Sequence, residues 1–457
     1  MNMKKIYIFF CSALLMLTGC DKLVEVDYPA SQIGTGQVFA EVQTANAALA
    51  GLYASLRDES LITGADYYAA STLLASYTDD LDCYTNDQNG VRDIYLNQQV
   101  ESNQVIASIW ARAYSHIYYA NSLILGVEKS IKLKEADKDR IKGEAMLLRS
   151  LVYFYLQQLF GDIPYTASID YEYNRTLART EAAAVLEQLE ADVNEVVELL
   201  TDDYRDVERI YPNRKAAQLL LARIYLLQSD WIRAEAMAET ILSSPLYVFQ
   251  VDINEVFHKS GSHILWQMKP KNSGKATLEA YFYYFSGSAP HSYALTEDLV
   301  NSFATEDLRR QMWVAEVSSG GNTWYRPYKY KNQEGANFNE YSIVFRLEEV
   351  YFILAEALAR QGRIDEALPW LNATRQRAGL TGFTSLSAEE FITELLAEKR
   401  REFFTEFGYR FIDLKRLDRL DELSVHKPNW EEYKRVWPLP QNEMLLNHNL
   451  SPQNNGY

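Results

Sequence analysis

Between Ile141 and Leu159 apolar side chains recur at alternating steps of four and three: Ile141, Ala145, Leu148, Val152, Tyr155, Leu159. That is the period of one helical stripe, and Leu147, Leu151 and Phe154 widen it sideways. A helix apolar on two faces is predicted to pack between neighbours. Its end is marked: Gly161 offers a left-handed cap, Asp162 can turn the chain, and Pro164 stops the helix from resuming. Another stripe, Trp110, Tyr114, Ile117 and Asn121, reads as core, with Asn121 bridging helices.

Two helical hairpins further along repeat at a constant offset of 133 residues, with Leu221, Ala222, Tyr225, Ser229 and Ala234 matching Leu354, Ala355, Leu358, Gly362 and Ala367. Small residues fall where paired helices must approach, and Ser229 or Gly362 falls at the turn, which is the spacing of tetratricopeptide units. Further pairs are expected from Gln43–Arg57 with Asn103–Val127, from Asp137–Phe160 with Arg214–Leu227, and at Ala388–Phe407. The fold class predicted is mostly α, a tetratricopeptide-like scaffold of about four helix pairs. Helical periodicity fades in two insertions, residues 75–100 and 246–341, where Gly, Ser, Asn and aromatic residues dominate. Long loops inside a helical scaffold usually carry function. Short strands at His263–Met268 and Trp324–Tyr330 are expected to stiffen them.

The first residues carry a different signal. Lys4 and Lys5 precede an apolar run from Ile6 to Leu17, too short to span a bilayer, and Leu17-Thr18-Gly19-Cys20 then gives way to charge. Small residues directly before a cysteine look like a bacterial lipobox, so residues 1–19 are read as a signal peptide and Cys20 as the lipidated first residue of a single domain, 20–457. Acyl chains bury about 0.8 kcal/mol per methylene, enough with several chains to hold the protein on a membrane. The formal charge of −17 disfavours nucleic acid and anionic lipid headgroups as partners. With Cys11 in the leader and Cys20 lipidated, Cys83 stands alone and no internal disulfide is possible.

Residues 142–164, KGEAMLLRSLVYFYLQQLFGDIP, closely resemble the signature helix of the SusD/RagB family of nutrient-binding outer-membrane lipoproteins. Four further blocks resemble the same family: Arg346–Arg360, Leu371–Leu380, Glu398–Phe403 with Gly408–Arg416, and the proline-bounded end from Trp437-Pro438-Leu439-Pro440 through Gln453-Asn454 to Tyr457. The resemblance implies a cell-surface glycan-binding lipoprotein, lipid-anchored in the outer membrane, that delivers oligosaccharide to a SusC-like TonB-dependent transporter and acts as its lid. It implies no cofactor. A peptide ligand, as for RagB-like members, and a repeat scaffold without any small ligand are the alternatives.

Candidate chemistry centres on Asp79-Asp80-Leu81-Asp82. Paired carboxylates can hydrolyse glycosides, but adjacent loop residues fix neither the separation nor the environment that reaction needs. No zinc motif, Gly-x-Ser-x-Gly elbow or phosphate loop accompanies them. The expectation is therefore a binding protein and not an enzyme. Carboxylates accept vicinal hydroxyls well, and aromatic faces cover the C–H side of a sugar ring. Tyr77, Asp79, Asp80, Asp82, Tyr84 and Asn86 are expected on one wall of the site, with Tyr283, Tyr284, Trp313, Trp324 and Tyr325 opposite. Calcium at Asp79, Asp80, Asp82 and Asp87 lacks the glycine of a calcium loop, so no metal is assigned. Glu356, Arg375, Arg377, Glu398, Arg400, Glu402 and Asp413 read as structural clamps, because Arg does not titrate usefully and its fork pairs carboxylates.

Overall fold

The structure, a computed structural model, describes residues 35–86 and 90–457. The leader, Cys20 and Asp87 lie outside the described residues. Eleven principal helices can be followed in chain order. They are α1 (Val42–Glu59), α2 (Ala70–Tyr77), α3 (Gln104–Lys129), α4 (Glu135–Phe160), α5 (Ala182–Leu199), α6 (Arg214–Leu227), α7 (Trp231–Leu242), α8 (Leu347–Arg360), α9 (Ile364–Arg377), α10 (Ala388–Phe403) and α11 (Tyr409–Arg416). From α3 to α11 each packs on the next, and α1 lies across α3 and α4.

Helix α4 shows why the stripe is doubled. Every residue from Gly143 to Phe160 is buried, since α3 covers one side and α5 the other. The helix stops where the sequence says: Gly161 has φ 73° and its amide bonds the Gln157 carbonyl at 3.0 Å. Asp162 does more than turn the chain, because its carboxylate accepts the amide of Ala182 at 2.8 Å and thereby holds the start of α5. Helix α5 corrects the expected pairing of Asp137–Phe160 with Arg214–Leu227, because it packs on both α4 and α6. Its buried stripe, Val185, Leu189, Val193 and Val196, has the right period but is narrow, and the polar positions between obscure it.

The hairpins α6–α7 and α8–α9 superpose in sequence register: both helix starts and the end of the first helix differ by the same 133 residues. The turns match too. Ser229 and Gly362 have φ 58° and 80°, and the amides of Asp230 and Arg363 reach back to the carbonyls of Tyr225 and Leu358 at 2.9 and 3.0 Å. Ala222, Ala355, Ala234 and Ala367 are wholly buried at the closest approaches, as small residues must be.

The described residues also form six strands: β1 (Leu81–Cys83), β2 (Ile264–Met268), β3 (Tyr293–Leu295), β4 (Val314–Ser319), β5 (Asn322–Pro327) and β6 (Ser342–Arg346). One sheet has order β1-β3-β5-β4 and a second pairs β2 with β6, all antiparallel. Guanidinium clamps fasten these insertions to the helices. Buried Arg309 reaches Asp307 at 2.8 Å and Glu398 at 2.7 Å, and Arg346 reaches Glu402 at 2.6 Å. Arg377 binds Glu348 and Glu402, while Arg416 forks onto both oxygens of Glu356. Burial alone raises the Glu402 carboxyl, but Arg377, Arg346 and Arg309 pull it well below the ordinary carboxylate range. The charged blocks are structural because each buried carboxylate has a guanidinium or ammonium partner.

Candidate functional site

The four-stranded sheet sorts the candidate residues by its pleat, because successive side chains point to opposite faces. Leu81 and Cys83 pair with Leu295 and Tyr293, and Leu295 pairs with Tyr325, so these five share the inner face. Asp82, Tyr84, Trp324 and Arg326 therefore share the outer one. The amide of Tyr84 extends the ladder to the carbonyl of Ser292 at 2.8 Å. Across that face the Trp324 side chain lies close enough to the Tyr84 hydroxyl to influence its ionisation. Asp82 accepts from the Tyr95 hydroxyl at 2.9 Å. Burial, then Asp82, lifts the Tyr95 hydroxyl above its ordinary range, so it stays a proton donor.

Beyond Trp324 the same face continues through Arg326 to Tyr328. The Arg326 guanidinium lies 4.8 Å from the ring centre of Tyr284 and 4.9 Å from that of Tyr328. Tyr284 is 41% exposed and Tyr84 37%, enough for their rings to meet a ligand. Beside them Tyr67 meets Phe282 edge-on at 4.9 Å, and Tyr281 is exposed.

Five expected contacts are corrected. Tyr77 is fully buried; it donates to the Lys434 carbonyl at 2.7 Å and its ring is boxed by Phe411, Trp430 and Trp437. Tyr283 is buried against Thr72, their hydroxyls 2.9 Å apart. Trp313 is buried and donates to the Ile253 carbonyl at 3.3 Å. Asp79 accepts a two-pronged bond from Arg410 at 2.9 and 2.8 Å, and Asp80 accepts from Arg400 at 2.8 Å. Both carboxylates are buried, so neither is available for a sugar, a calcium ion or acid–base chemistry. Tyr325 is half-buried on the inner face, with the Arg310 guanidinium 4.9 Å from its ring. Asn86 is exposed at the end of the β1 segment.

The outer face thus gathers Asp82, Tyr84, Tyr284 and Trp324 from the expected set and adds Tyr95, Arg326 and Tyr328. The alternation Trp324-x-Arg326-x-Tyr328 was present in the sequence as a period-two signal, whereas Tyr95 is brought in only by the fold. Among the described residues no three His, Cys, Asp or Glu groups stand close enough to hold a metal ion. None of the described helices is long and apolar enough to cross a membrane.

Two family profiles match the chain: one described as starch-binding, associating with the outer membrane, over residues 37–226, and one described as the SusD family over residues 315–457. The chain belongs to the SusD/RagB family. It is 26% identical to the SusD-like protein P2 of Formosa agariphila over the full length of both chains. Among solved structures it matches a SusD superfamily protein from Bacteroides vulgatus, with TM-score 0.78 and 20% identity, covering 92% of this chain and all of that one. It also matches the surface glycan-binding protein A from Bacteroides thetaiotaomicron in complex with laminarihexaose, with TM-score 0.75 and 18% identity, covering 90% of this chain and 99% of that one. At these identities the structural likenesses establish the shared SusD fold.

Proposed function

We propose that this protein is a lipid-anchored outer-membrane binding protein facing the cell exterior, which captures oligosaccharide on the outer face of its four-stranded sheet. The observation that carries the reading is the grouping of exposed Tyr84 and Tyr284 with Trp324, Asp82 and Arg326 on one strand face. Rings there can cover the C–H face of a sugar while the carboxylate and guanidinium take its hydroxyls. The membrane profile description, the glycan complex of the related fold and the Leu17–Cys20 motif support the same reading. The captured glycan is then handed to a SusC-like TonB-dependent transporter, over which the protein closes as a lid. Closure couples to capture through the ligand's preference for the closed state.

Calorimetric titration of a form beginning after Cys20, against oligosaccharide and short-peptide panels, tests the binding step. Saturable heat with one glycan class is expected, weakened by about 2 kcal/mol, roughly 30-fold, in Trp324→Ala. Heat with peptides alone, or none with either panel, refutes the glycan reading. Uptake of the bound glycan that persists after deletion of the partner transporter refutes the delivery step.

A further inference from the structure

We propose that this binding face selects glycans bearing an oxyanion, a uronate carboxylate or a sulfate ester, and that Arg326 is the residue that reads the charge. The inference rests on the glycan-binding reading of the same face. The chain carries a formal charge of −17, and its buried guanidiniums, those of Arg223, Arg309, Arg346 and Arg377, are paired with carboxylates. Half-buried Arg326 on the outer face, like half-buried Arg310 over Tyr325 on the inner one, lies outside that pattern. Among the described residues Arg326 makes no ion pair, the groups that act on its charge are the tyrosines Tyr328 and Tyr284, and its Nε is buried with no hydrogen-bond partner.

Its surroundings are ring faces. Tyr284 and Tyr328 flank the guanidinium, and the Lys331 ammonium approaches the Tyr328 ring at 5.5 Å, adding a second cation to the same patch. Of the two carboxylates that act on the Tyr84 hydroxyl, Asp82 and Glu297, Asp82 is bound by Tyr95 and lies in the field of Lys427. Burial lowers the Arg326 pKa, opposed only by the tyrosines Tyr328 and Tyr284. Two ring contacts hold the guanidinium in place more weakly than a carboxylate would. An incoming oxyanion can accept from its open fork in a partly desolvated setting, where such bonds are strongest.

Position favours the same ligand. Trp324 and Arg326 stand two residues apart on one strand face, about 7 Å along it. A sugar stacked on the indole therefore places a charged substituent of its own ring, or of the next, beside the guanidinium. A neutral glycan offers the Arg326 guanidinium only hydroxyl oxygens, which accept from it more weakly than an oxyanion does.

The test titrates the lipidated full chain, purified in detergent, with oligogalacturonate, κ-carrageenan oligosaccharides and neutral laminarihexaose. At least one of the two anionic sets is expected to bind tenfold or more tightly than laminarihexaose, and which of them does so distinguishes carboxylate from sulfate. That advantage is expected to shrink as NaCl rises from 50 to 500 mM. Arg326→Gln is expected to abolish it and Arg326→Lys to keep part of it, with an unchanged melting midpoint showing that both variants fold. Laminarihexaose binding as tightly as both anions overturns the proposal but leaves the glycan face standing. So does an equal loss for all three ligands in Arg326→Gln. Silence with all three sets overturns the glycan face and this proposal together.

Discussion

Asp79→Asn separates structure from ligand binding, because the sequence points to Asp79 as a sugar contact and the fold makes it a clamp. The substitution keeps shape and removes a charge that accepts two bonds from Arg410 and lies 3.3 Å from Arg400. Burial alone raises the Asp79 carboxyl, but Arg410 and Arg400 hold it below its ordinary range. Removing one partner of a buried pair costs about 3–5 kcal/mol. Arg400 retains Asp80 and Asp298, each at 2.8 Å, so the lower end, about 3 kcal/mol, applies. Unfolding entropy near 2.1 cal/mol/K per residue gives roughly 0.9 kcal/mol/K for a chain of this size, so the midpoint should fall by about 3–4 °C. The assay is thermal melting by circular dichroism together with titration of the glycan bound by the parent. The expected outcome is a lower midpoint with affinity per folded molecule unchanged. An unaltered midpoint with a tenfold loss of affinity would return Asp79 to the binding site and refute the clamp.

Acid should act on the same clamps. Because Asp79 and Glu402 have folded pKa values below their unfolded ones, their stabilisation is complete above about pH 4.5 and is lost as pH falls further; an acid-unfolding curve of Glu402→Gln no shallower than the parent's contradicts this. Glu279 has the opposite sign: burial pushes its carboxyl from 4.5 to about 7, so the folded state holds a proton that the unfolded chain has released, and stability declines as pH rises through that window. Glu279→Gln is expected to gain about 2–3 kcal/mol over the parent at pH 8 and nothing at pH 4, and identical pH profiles in denaturant melts would dismiss the account. At the repeated turn, Gly362→Ala should destabilise by about 1–2 kcal/mol from its positive φ alone, since a Cβ there meets no atom within 4 Å. Ser229→Gly already has the matching φ and should shift stability by less than about 1 kcal/mol, in the stabilising direction; equal losses in both variants would disprove the shared turn.

The helical scaffold was legible because its signals are local and periodic. The Ile141–Leu159 stripe, the Gly161 stop and the 133-residue offset each act within a few turns of helix, and the fold uses all three. Helix α5 was missed where that locality weakens, since only Val185, Leu189, Val193 and Val196 face the core.

The site was half legible for a different physical reason. Composition marks which residues suit a sugar, but pleat and burial decide which of them reach solvent. Tyr84 and Tyr283 are chemically equivalent, yet one lies on the outer edge of β1 and the other closes over Thr72 in the core. The Asp79–Asp82 run shows the decision within four residues. Asp79 and Asp80 precede the strand, where α10 and α11 bring Arg400 and Arg410 from more than 300 positions away. Asp82 lies inside the strand, and its outward turn takes it away from those guanidiniums and leaves it to accept from Tyr95. Distant guanidiniums leave no trace in the local sequence, so a carboxylate already claimed by one reads the same as a carboxylate awaiting a sugar. The converse holds at Arg326, whose lack of a claimant becomes visible only when every nearby carboxylate has been assigned its partner.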